Sequence, residues 1–202
     1  MIPSLALFAV SVVLSAGAAA ATVDVVVADG AGKPLADAVV MLEPTSGRLP
    51  VKPLSGVQIA QAHRQFDPQV TVIPVGTAVA FPNLDTVRHH VYSFSGARTF
   101  ELKLYAGVPA APVVFDKAGI AVLGCNIHDQ MVAWVVVVDT PFYARSSALG
   151  KASMTGVPAG AYRLKVWHST LADASTPSSS LVSVGNADVE EQTTLRTERR
   201  RP

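Results

Sequence analysis

The segment Gly124-Cys125-Asn126-Ile127-His128-Asp129-Gln130-Met131 places a thiol, an imidazole and a thioether at successive intervals of three residues. Three soft or borderline donors this close together suit a copper ion, because Cu(I) and Cu(II) both accept thiolate and imidazole. A second imidazole must come from elsewhere in the chain. His89 and His90, in Val87-Arg88-His89-His90-Val91 just after the turn Asn83-Leu84-Asp85-Thr86, are the candidates. Taken singly, Cys125 would be a small buried hydrophobe and Met131 a core filler, so selectivity lies in the combination. His63, in Gln61-Ala62-His63-Arg64-Gln65, is a further candidate for a metal or redox-partner site. His168, after Trp167, reads as a strand-end residue without a ligand role.

The elements that must position these donors are strands. Helical periodicity is nearly absent, and short β-branched runs recur between turn residues: Val57 to Ala60, Val70 to Pro74, Thr77 to Phe81, Val91 to Phe94 and, after a loop, Val113 to Phe115. Ile120 to Leu123 and Val132 to Val138 then flank the Cys-His-Met loop. Many short strands separated by turns every 8 to 12 residues or so predict an all-β sandwich or barrel.

These features together resemble the cupredoxin family of type 1, or blue, copper proteins. Its members carry one upstream His after an Asn-containing turn and a downstream Cys-x2-His-xn-Met loop; the Cys125-His128-Met131 spacing is the short one of amicyanin, where plastocyanin has a longer gap before Met. The run Phe66 to Asn83 resembles the family's strand, glycine turn and strand before the first His, and the similarity extends over residues 57–139. The resemblance implies a Greek-key β-sandwich holding one type 1 copper ion on His89, Cys125, His128 and Met131. His90 stands where the family usually has an Asn that ties the two ligand loops together; it can supply that N–H or replace His89 as ligand, and both remain candidates. Ala121 and Leu123 are aliphatic where plastocyanin-like members often have aromatics.

The flanks predict a second module. Asp29-Gly30-Ala31-Gly32-Lys33-Pro34-Leu35 and Val157-Pro158-Ala159-Gly160-Ala161-Tyr162-Arg163-Leu164 resemble the turn and hairpin of carboxypeptidase regulatory-like or transthyretin-like β-sandwiches. The expected organisation is an export signal at 1–21, a discontinuous scaffold sandwich at 22–50 plus 141–195, a cupredoxin-like copper domain at 56–139 inserted in it or packed beside it, and a basic tail at 196–202. Residues 45–55 read as a linker and 169–180 as a surface loop.

Composition narrows the function classes. With 16 Lys and Arg against 15 Asp and Glu the 202-residue chain has a net charge of +1, so there is no global electrostatic pull toward nucleic acid. Its single cysteine can form neither an internal disulfide nor a thiolate-rich zinc site. Residues 1–21 carry no charge, hold an apolar run too short for a comfortable span, and end in small residues suited to signal cleavage. A periplasmic protein without a membrane span after cleavage is therefore expected. The leading expectation is an exported, non-enzymatic electron carrier cycling between Cu(I) and Cu(II) with a redox partner protein, His128 being the exit and Asp129 a charge beside it. A copper carrier or storage protein, to which extra donors at His63 and His90 would point, and a metal-free β-sandwich binding module are the alternatives.

Overall fold

The computed structural model describes residues 20–109 and 111–198. In chain order its strands begin with β1 (Ala20–Asp29), β2 (Val39–Pro44), β3 (Val57–Gln58), β4 (Ala60–Ala62), β5 (Gln65–Asp67) and β6 (Val70–Pro74). They continue with β7 (Thr77–Ala80), β8 (His89–Ser95), β9 (Arg98–Tyr105), β10 (Val113–Phe115), β11 (Gly119–Gly124) and β12 (Val132–Val138). The last are β13 (Tyr143–Arg145), β14 (Lys151–Pro158), β15 (Gly160–Trp167), β16 (Ser178–Val184) and β17 (Val189–Leu195). The fold is all-β, with no helix among the described residues.

Three hydrophobic cores separate four of the five sheets among the described residues, the fifth being the two-stranded β4-β5. In the first, Val23, Val25 and Val27 of β1 point one way by strand alternation and pack against Val40 and Leu42 of β2 and Leu164 and Val166 of β15. This core joins the sheet β14-β1-β17 to the sheet β13-β2-β15-β16. The opposite face of β2 and β15 carries Val39, Met41 and Trp167, which pack on Ile120, Trp134, Val136 and Val138 of the five-stranded sheet β6-β12-β11-β8-β9. The far face of that sheet carries Val91, Ala121, Leu123, Ala133 and Val135, which meet Val79 and Phe115 of the sheet β10-β7-β3, together with Phe81. Strands β2 and β12 thus have both faces covered, which is why Val39-Val40-Met41-Leu42 and Val135-Val136-Val137-Val138 read as unbroken apolar runs. Fully burying each such side chain contributes about 1.5–3 kcal/mol.

The turn after β1 is locally encoded. Asp29 Oδ1 accepts the backbone N–H groups of Ala31 and Lys33, both at 2.9 Å. Where the chain passes from β14 to β15, strands of different sheets rather than the expected hairpin, the Tyr162 hydroxyl donates to the Pro158 carbonyl at 2.9 Å.

Two stretches depart from the sequence reading, and a third is a strand it left unassigned. Arg98–Tyr105 is the edge strand β9 where a loop was expected, and its Arg98, Glu101 and Lys103 are the charges that an edge strand tolerates. The expected loop at 169–180 gives way to strand β16 from Ser178, again at a sheet edge. Val189–Leu195 forms β17, parallel to β1 with Val25 opposite Glu191. Ala20 and Ala21 lie in β1 opposite Pro158 and Val157; the remainder of the expected leader and residues 199–202 of the expected basic tail lie outside the described residues.

Candidate metal centre

Two strand ends bring the donors together. Cys125 directly follows β11, and the short loop to β12 is closed by Met131 N–H donating to the His128 carbonyl at 2.9 Å. Gly124 lets Tyr92 lie flat against the chain next to the cysteine, since a Cβ there would sit 2.7 Å from the Tyr92 Cζ. From β8, His89 enters the same space: the core-facing positions of that strand are His89, Val91 and Ser93, each fully buried.

His89, Cys125 and His128 form a cluster whose ligating atoms all lie within 4.8 Å of one another. Cys125 Sγ is 3.9 Å from His89 Nδ1 and 4.0 Å from His128 Nδ1. The two imidazole centroids are 5.1 Å apart with their planes at 57°. Cys125 is 3% exposed and His89 fully buried, whereas His128 is half-buried on a loop whose Asn126, Ile127 and Asp129 are exposed. Met131 is buried in the same core as Cys125.

His90 faces the other side of β8. Its ring stands edge-on to Tyr92, centroids 5.9 Å apart, and its Nε2 lies 3.0 Å from Glu101 Oε1, off the line of a hydrogen bond. The imidazole of His63 is exposed, and its backbone is what serves the site. His168 Nδ1 lies 2.7 Å from Thr170 Oγ1 and accepts the Thr170 backbone N–H at 3.2 Å, in a local turn.

Behind His89 stands Asp85, a residue that sequence reasoning placed only in a turn. Asp85 Oδ2 is 2.7 Å from His89 Nε2 and also accepts the Arg64 backbone N–H at 2.9 Å, while Oδ1 accepts that of His63 at 2.7 Å. His63 and Arg64 are both left-handed, with φ of 53° and 57°, a conformation costly to side chains with a Cβ. The paired N–H groups aimed at one carboxylate offset that cost. Burial alone would raise the Asp85 pKa; the hydrogen bonds from Arg64, the His89 ring and His63 outweigh it and hold the carboxyl below the ordinary carboxylate range.

The turn itself is fixed by Asn83. Its Nδ2 donates to the carbonyls of Val87 and Tyr105, both at 2.9 Å, and its Oδ1 accepts the Asp85 N–H at 3.0 Å. Beneath it the Tyr105 hydroxyl donates to the Phe81 carbonyl at 2.7 Å and accepts from Gln61 Nε2 at 2.6 Å. Burial pushes this phenol up to about 12.

Solved structures similar to this chain include a purple cupredoxin, an amicyanin variant and a copper-containing nitrite reductase. A purple cupredoxin from Nitrosopumilus maritimus aligns over 41% of this chain and 99% of its own at 24% identity, with a TM-score of 0.36. A reduced variant of amicyanin aligns over 49% of this chain and 98% of its own at 18% identity and a TM-score of 0.38. A copper-containing nitrite reductase from Thermus scotoductus aligns over 48% of this chain but only 25% of its own, at 28% identity and a TM-score of 0.39. No protein-family model matches the sequence, and no curated protein does. No helix among the described residues is long and apolar enough to cross a membrane.

Proposed function

We propose that this chain is an exported copper protein that passes single electrons between redox partners, with one ion held by His89, Cys125, His128 and Met131. The observation that carries the reading is the convergence of one thiol and two imidazole nitrogens from two separate stretches of chain. The donor set fits the ion. A metal–sulfur bond of about 2.3 Å and a metal–nitrogen bond of about 2.0 Å sum to ~4.3 Å for a first-row ion such as zinc. The observed 3.9 and 4.0 Å separations fall just inside that sum, so the sulfur and either nitrogen are within reach of a shared ion. A thiolate with two imidazoles and a thioether nearby selects copper over the harder divalent ions.

Bound copper supplies a one-electron couple, Cu(I)/Cu(II). The chain's contribution is a fixed framework: His89 sits in β8 and Cys125 at the end of β11, both buried, so the donors hold their places whichever charge they face. His128 and the adjacent Ile127, 46% exposed, form the accessible side, where an imidazole edge can meet a partner protein. Export rests on the uncharged apolar start of the sequence and suits a lone thiol that a metal protects in an oxidising compartment. The two sandwiches act as separate modules, residues 56–139 carrying the copper and residues 22–50 plus 141–195 serving as scaffold. A delivery protein would call for additional exchangeable donors. The imidazoles of His63 and His90 lie outside the cluster, which favours electron transfer.

The test is to add one equivalent of Cu(II) to the purified chain, record its visible spectrum, and cycle it with a reductant and an oxidant. The reading expects an intense thiolate-to-copper band that bleaches and returns, and that is absent in Cys125→Ser. A colourless complex, or one that releases copper on reduction, would overturn it.

A further inference from the structure

We infer that Asp85 is a positioning residue that fixes the tautomer of His89 and strengthens it as a donor to the oxidised ion. The inference rests on the copper reading, but its first half concerns the protein alone. A carboxylate only accepts hydrogen bonds. With Asp85 Oδ2 2.7 Å from His89 Nε2, that nitrogen must carry the proton, which in the neutral ring leaves Nδ1 as the lone-pair atom facing Cys125 Sγ at 3.9 Å. An imidazole otherwise has two tautomers to choose from, and the wrong one would turn an N–H toward the thiol.

Asp85 is held too firmly to follow a moving ring. Both of its oxygens are engaged by consecutive backbone N–H groups from 63 and 64, and its own N–H is engaged by Asn83. Its side chain is 16% exposed and that of His89 is 0% exposed, so the link between them is largely screened from water. A charge-assisted hydrogen bond in such a place polarises the ring more than one to a neutral carbonyl. Electron density pushed toward Nδ1 favours the more highly charged ion, so Asp85 tightens Cu(II) more than Cu(I). The geometry also predicts what an amide would do: Asn at 85 has one accepting atom, so it cannot serve both the ring and the two backbone donors.

The experiment compares the full chain with Asp85→Asn, measuring Cu(II) and Cu(I) affinities separately by competition with chelators, and the midpoint potential. Loss of the carboxylate is expected to weaken Cu(II) binding ~10–100-fold, the usual cost of removing an outer partner of a ligating histidine. Cu(I) binding should weaken less, so the potential moves positive. Equal losses for both ions, or none, with an unmoved potential would show Asp85 to be only a loop anchor and overturn the inference. If the variant does not fold, nitrogen-15 NMR of the unsubstituted, metal-free chain decides: His89 protonated on Nε2 supports the inference, and His89 protonated on Nδ1 overturns it. An unsubstituted chain that shows no thiolate-to-copper band instead defeats the copper reading, and the metal-free NMR result still judges the positioning.

Discussion

His89 and His90 are consecutive in the chain and occupy opposite faces of β8: the first turns its Nδ1 toward Cys125, the second its Nε2 toward Glu101. Both are buried, at 0% and 6% exposure, so burial alone does not tell them apart. Replacing His89 with Ala is expected to abolish the thiolate-to-copper band and to weaken Cu(II) binding by several orders of magnitude. His90→Ala should leave band position and stoichiometry unchanged. Spectra of the two variants titrated with Cu(II) provide the check, and loss of the band in His90→Ala would reverse the assignment.

Trp134 and Trp167 meet across the interface between the two central sheets, ring centroids 6.2 Å apart. Trp167 is fully buried and its Nε1–H donates to the Ala174 carbonyl at 2.7 Å. Trp167→Ala should lower the unfolding free energy by about 3–5 kcal/mol, the range for deleting a buried Trp. Because the rings touch, the double variant with Trp134→Ala should cost less than the two single losses added together. Urea denaturation of the three variants measures this; full additivity would mean that the rings are not energetically coupled.

Burial raises the Tyr105 phenol from its ordinary 10.0 to about 12, the Gln61 hydrogen bond opposing and Cys125 adding to the rise. Below the ordinary value both folded and unfolded chains keep the proton, and the phenol's contribution is intact. Above it the unfolded chain ionises first, so that contribution is lost as pH rises toward the folded value. Tyr105→Phe should be less stable near neutrality by ~1 kcal/mol, through the lost hydrogen bonds, yet should lose less stability across the alkaline range. Urea midpoints measured against pH separate the two effects; parallel profiles for both chains would contradict the assignment.

Periodicity made the all-β class legible because the strands with both faces covered, such as Val135-Val136-Val137-Val138, cannot hide among polar residues. The strands that escaped are edges. Arg98, Glu101 and Lys103 in β9 and Glu190, Glu191 and Gln192 in β17 sit where one side of the backbone is unpaired and charge is favourable. At the site, donor types and the Cys125-His128-Met131 spacing were visible in the sequence, since a tight loop keeps sequence neighbours close. Which of His89 and His90 faces inward was not, because strand alternation assigns a face only once the register is known, and a register irregularity separates His89 from Val91. Asp85 was hidden for a different reason. Its partners His63 and Arg64 are 22 and 21 residues away, and they act through backbone N–H groups, which carry no residue-type signature.

The central claim is that one sulfur and two imidazoles share a single copper ion. X-ray absorption at the copper edge of the reconstituted chain tests it most directly. The predicted result is one sulfur and two imidazole nitrogens as nearest neighbours of the metal, with the sulfur lost in Cys125→Ser. Nearest neighbours made up only of nitrogen and oxygen in the unsubstituted chain would contradict it.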